Sequence, residues 1–162
     1  VAGTGGAYSD QGAGPFIPEE PDPLIPLSPP ELLLCLLERD VEQAICSNVI
    51  VGPATQDQQQ AGVISITPAG LSTISDHMPL KWVRLQVRCI HHQLAAAEQI
   101  GEHVFQLLHT RHRELVTQPS SGNTYLVHHT KCVAGPSTHW DSAATWESLA
   151  FYELLIGTQP VS

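Results

Sequence analysis

A chain of 162 residues with 42% apolar content is long enough for one domain around a single core. Its formal charge of −9, with only seven Lys and Arg, argues against a protein that works by coating nucleic acid, because counterion release needs clustered cations. The longest purely apolar run near the start of the domain, "LLLCLL", is about a third of a bilayer-spanning length, so no membrane-spanning helix is expected.

Residues 1–27, "VAGTGGAYSDQGAGPFIPEEPDPLIPL", hold five glycines and five prolines without a sustained apolar period. They read as an extended arm ahead of a domain over 28–162. Phe16, Ile17, Leu24 and Ile25 are interspersed among the prolines, which suits an arm lying on a protein surface, since proline lowers the entropy lost on docking.

At Ser28 the pattern changes. "SPPELLLCLLERDVEQAI" offers an N-cap serine, prolines in the first turn and Glu31 three residues after the cap. Leu33, Leu34, Leu37, Val41, Ala44 and Ile45 then recur at helical spacing, predicting a helix over about 29–46. Two short strands are expected in "NVIVGPA" and "VISITPAG", joined by a polar loop, "TQDQQQAG". "LSTISDHMP" reads as a connecting loop ending at Pro79.

From 81 to 89 the chain alternates: Val83, Leu85, Val87 and Cys89 point one way, Trp82, Arg84, Gln86 and Arg88 the other. From about 93 the apolar positions become Leu94, Ala97, Ile100, Val104, Leu107 and Leu108, a helical stripe. His91 and His92 sit where the period changes, at a strand-to-helix corner. After the loop "VTQPSSGN", a strand is expected in "TYLVHHTKCV", a turn in "AGPSTHWDSAA" and a last strand in "TWESLAFYELLIG". The predicted fold is α+β: a mixed or antiparallel sheet of about four to five strands flanked by two helices, behind an extended N-terminal arm.

Cys35, Cys46, Cys89 and Cys132 form no CxxC pair and sit in apolar segments, so they read as small buried hydrophobes of a protein folded in a reducing cytoplasm. The sequence begins at Val1 and its sole methionine is Met78, which suits removal of an initiator.

Nine histidines invite a metal reading. Adjacent residues on a strand face opposite ways, however, so neither His91–His92 nor His128–His129 readily chelates one ion. His109 and His112, beside Arg111 and Arg113, suit the negative end of a helix. HExxH, PCxxC, GxSxG, Walker A and strand-linked GxGxxG patterns are all missing from the sequence. Glu98 and Glu102 share a helix face as solvated acids do. No catalytic residue, metal ligand or cofactor is therefore expected.

The feature left over is the face of Trp82, Arg84, Gln86 and Arg88. Lys81, Arg84 and Arg88 fall within eight residues, whereas the first 42 positions contain eight acids and one base, Arg39. Arg and Trp are enriched at interfaces. This strand face and the arm residues Phe16, Ile17, Leu24 and Ile25 are the candidate interface, with the acidic arm pairing with the basic strand within one chain or between chains.

The first helix "PELLLCLLERDVEQAI", the strand "WVRLQVRCI" running into "AAAEQIGEHVFQLLH", the "HWD" turn and the closing strand "WESLAFYELLIG" resemble the tail terminator proteins of tailed bacteriophages, also called minor capsid or tail completion proteins. The resemblance covers roughly residues 28–159 and is one of pattern and order rather than of an invariant motif. It implies a structural virion protein assembled in the host cytoplasm into a homohexameric ring on the tail tube. Such a ring halts tail polymerisation and meets the head-side connector, while genomic DNA passes through its lumen without specific binding. It implies no catalytic residue and no membrane partner. The proline-rich leader and the histidine content depart from the family pattern. A head-to-tail connector or stopper of the neck would share the composition, and a small metal-dependent enzyme would need His77, His91, His103, His109 or His128 to converge.

Overall fold

The computed structural model describes residues 25–70, 73–74, 78–141 and 144–161. The fold is α+β, with elements in the order α1 (Pro29–Asp40), β1 (Val49–Val51), α2 (Gln56–Ala61), β2 (Val63–Pro68), β3 (Thr73–Ile74), β4 (Leu80–His91), α3 (Leu94–Leu108), β5 (Arg111–Thr117), β6 (Thr124–Asp141) and β7 (Thr145–Gly157). One mixed sheet runs β1-β2-β4-β7-β6-β5, and β3 continues the line of β2 along β4. Among the described residues only β1 and β2 are parallel. The sheet therefore has more strands, and the domain one more helix, than the periodicity predicts.

The core follows from the alternation in the two central strands. Val83, Leu85, Val87 and Cys89 of β4 lie opposite Leu154, Tyr152, Ala150 and Ser148 of β7, all buried on one face. Against that face pack Leu32, Leu33, Leu36 and Leu37 of α1 and Ala97, Ile100, Val104 and Leu108 of α3. α1 touches β5 at one edge of the sheet and β1 and β2 at the other, so the sheet curls around it and has a concave, helix-covered side. The convex side is left uncovered by α1 and α3.

Several sequence expectations need correction. α1 ends at Asp40 rather than near 46, because Val41 is extended (φ −72°, ψ 129°) and residues 42–46 form a separate turn. Val41 and Cys46 are still buried, so the apolar spacing is served by that turn. The capping box at Ser28 does not form. Glu31 instead accepts hydrogen bonds from the Ser120 backbone and hydroxyl, while Gln118 accepts from the Ser28 N–H and donates to the Pro26 carbonyl. The stretch read as a polar loop holds α2, capped by a true box between Thr55 and Gln58. β3 occupies part of the expected connecting loop. β5 was not expected: His112 lies on this edge strand and not at a helix end. β6 runs on through "AGPSTHWD", its register shifts absorbing the Gly-Pro, and the turn comes only after Asp141.

All four cysteines are free; Cys46 and Cys89 are buried, Cys35 and Cys132 partly so. Of the expected arm, residues 1–24 lie outside the described residues, whereas Leu27 packs against the core.

α1 is tied to the edge strand β5 by charge. Arg39 and Arg111 engage Asp40 and Glu114, with Nη2–carboxylate distances of 2.6 Å for Arg39–Glu114 and Arg111–Asp40. Hydrogen bonds from Arg39 hold both carboxyls below their ordinary values of 3.8 and 4.5, with Arg111 adding to the effect. A depressed carboxyl pKa stabilises the fold above the unfolded value and loses that effect as pH falls through the folded value. Because Arg39 is half exposed, water screens the cluster and its worth is about 1 kcal/mol. Urea unfolding at pH 6 and pH 3 should differ by about that amount more in the native chain than in an Arg39→Gln, Arg111→Gln variant.

Candidate interaction surface

β4 is a central strand with alternating sides, so burying Val83, Leu85, Val87 and Cys89 obliges Trp82, Arg84, Gln86 and Arg88 to share the convex side. The structure brings these four together as the strand period predicts. Opposite them on β7 stand Leu155, Glu153, Phe151 and Leu149, the three apolar ones each part-exposed. Next along the sheet, β6 contributes His129 beside Leu155 and Lys131 beside Glu153.

The two arginines are not free cations. The Arg84 guanidinium lies 2.8 Å from a Glu153 carboxylate oxygen, and Lys131 approaches the other oxygen at 3.9 Å. Arg88 donates to both oxygens of Glu147, which is 7% exposed, and lies 3.8 Å from Asp141. Hydrogen bonding to Glu147 raises the Arg88 pKa further above its ordinary value. Three cations thus meet three carboxylates on this side, which leaves it close to neutral in a chain of charge −9. The pairing expected between the acidic arm and a basic strand would have to compete with these carboxylates; Phe16, Ile17 and Leu24 lie outside the described residues, and Ile25 is partly buried.

Aromatic rings continue the surface. Lys131 Nζ stands 5.3 Å from the Trp82 ring centroid, a cation–π distance, and His129 meets Trp82 edge-on at 6.5 Å. His129 also stacks on His112 with their Nδ1 atoms 3.0 Å apart, a separation that requires one proton between two nitrogens. Burial, His112 and Lys131 together lower the His129 pKa. At the far end His139 reaches Glu147 at 3.3 Å.

Of the other histidines, His91, His92, His103 and His109 have local partners, and His128 lines a surface groove beside Leu80 and Leu126. His91 accepts from the Gln93 N–H at the corner into α3, and His92 bonds the Gln60 carbonyl. His103 accepts from Glu42 N–H and His109 from Cys132 N–H. His77 lies outside the described residues. Among the described residues no group of three or more His, Cys, Asp and Glu is placed to hold a metal ion. Nor is any helix of the described residues long and apolar enough to cross a membrane.

Sequence reasoning found β4's side of this surface and missed its partners. Glu147 and Glu153 alternate correctly within their own strand, but nothing local says which arginine each will face. Lys131 and His129 needed the β6–β7 register, which the bulges in β6 make illegible. No family model matches the chain, and comparison with curated proteins gives no match.

Proposed function

We propose that this chain is a structural virion protein, a tail terminator that caps the head-proximal end of a phage tail tube as a homohexameric ring. In this role it stops tail polymerisation and joins the tube to the head-side connector, with DNA passing through the lumen. The observation that carries the reading is the convex sheet surface of Trp82, Leu149, Phe151 and Leu155 with its neutral set of ion pairs. Copies of a chain with charge −9 repel one another, and a neutral aromatic surface is where that repulsion is least. The order of helix, curled sheet and α3 laid on β4 and β7 adds the likeness of layout on which the family resemblance rests.

Closed rings pair this kind of patch with a different one on the next copy. Trp82→Ser is therefore expected to raise the concentration needed for half-assembly about thirtyfold, the effect of losing a central aromatic anchor, measured by sedimentation across concentrations. The function itself is tested by adding the protein to polymerising tail-tube protein under the electron microscope. Tubes of limited length with a ring at one end support a terminator. Binding to portal rings with no effect on tubes would assign the protein to the connector position instead.

A further inference from the structure

A second surface lies at the end of the sheet where β4 starts and β7 ends. A groove of about 450 Å³ opens there on the convex side, with Met78, Leu80, Leu126, Pro160 and Val161 as its apolar lining and His128 and Gln159 as its polar one. Met78 and Val161 at its rim are 55% and 41% exposed. The volume suits a few apolar side chains rather than a globular partner.

We propose that this groove holds the chain's own segment Pro15–Leu24. The segment's period supports this. Pro15, Pro18, Pro21, Leu24 and Leu27 recur every third residue, so in a polyproline II helix of three residues per turn they make one continuous apolar edge. Glu19 and Asp22 fall on a second edge with Phe16 and Ile25, and Glu20 on a third with Ile17, Pro23 and Pro26, so the first edge alone is free of acids.

The point of departure also fits. The Pro26 carbonyl is held by Gln118, whose N–H donates to Asn123 O, and neighbouring Thr124 pairs with Val161 on the groove's rim. The segment therefore begins beside the groove and needs only to pass around the end of the sheet. At about 3.1 Å per residue its ten residues span about 30 Å. So short a tether gives the chain's own segment a high effective concentration over that of any other copy.

The edges of β1 and β5, without a further strand among the described residues, are poor alternatives. Prolines lack the N–H groups that would extend a ladder, whereas docking in an apolar groove uses side chains and leaves the backbone solvated. This proposal goes beyond the ring reading and does not rest on it.

The test uses the full chain with Pro18→p-benzoylphenylalanine, on the edge that faces the groove, irradiated as an equal mixture of light-isotope and heavy-isotope protein and mapped by mass spectrometry. Adducts within single chains on Leu80, Leu126 or Pro160 are expected. They should fall about tenfold when the exposed rim carries Met78→Glu and Val161→Asp, which remove apolar contact and repel the arm's carboxylates. Adducts joining light to heavy chains, adducts elsewhere on the protein, no adduct at all, or a yield indifferent to the rim variants would each overturn the proposal.

Discussion

Arg88→Leu is expected to destabilise the fold by about 2–4 kcal/mol, and Arg88→Leu with Glu147→Leu to recover most of that loss. The reason lies in unequal burial. Arg88 is partly exposed, but Glu147 is 7% exposed, and its two oxygens take their hydrogen bonds from the guanidinium. Without Arg88 the carboxylate keeps, among the described residues, only His139, at 3.3 Å, which is charged only when protonated. An uncompensated buried charge costs several kcal/mol, whereas two apolar side chains opposite Ser65 and His139 cost little. Thermal or urea unfolding of the two variants and of Glu147→Leu alone makes a double-mutant cycle. A double variant as unstable as the single one would mean that the pair's role is packing and not charge.

Gly101→Ala should destabilise the protein by about 1–3 kcal/mol, against the usual gain of up to about 1 kcal/mol from replacing a helical glycine. α3 crosses β7 so closely that a Cβ at Gly101 would stand 2.1 Å from the Ser148 hydroxyl oxygen and 2.8 Å from its Cβ. Serine's short side chain cannot swing both atoms clear. Ser148→Gly in the same chain removes them, leaving Pro136 Cβ at 4.0 Å as the next neighbour, and is expected to rescue much of the loss. Glycine here is therefore a packing requirement between helix and sheet. Unfolding curves of the single and double variants measure it.

How much of this was legible in the sequence depended on whether one strand or helix could bury a face alone. β4 and α3 were clear because the period changes from two to about 3.6 at His91 and His92, and each element buries a full stripe. β5 was hidden because an edge strand buries little: "RHRELVT" has only Val116 buried. α2 was hidden for a similar reason, since none of its residues is buried; its one readable signal was Thr55 with Gln58 three positions on. The second half of β6 looked like a turn because Gly135 and Pro136 punctuate it. Yet Gly135, at φ 83°, sits against the Leu149 carbonyl, where a Cβ would be 2.4 Å away, so that glycine keeps two strands in contact and does not end one. At the candidate surface the strand period supplied Trp82, Arg84, Gln86 and Arg88. Register alone supplied Glu147, Glu153, Lys131 and His129, because pairing between strands distant in sequence leaves no local mark.

The most direct measurement of the ring claim is a native mass spectrum of the untagged full chain over a range of concentrations. A metal-free species of six copies, weakened by Trp82→Ser, is the expected result. A monomer or dimer carrying one bound metal ion per chain, unchanged by Trp82→Ser, would contradict it.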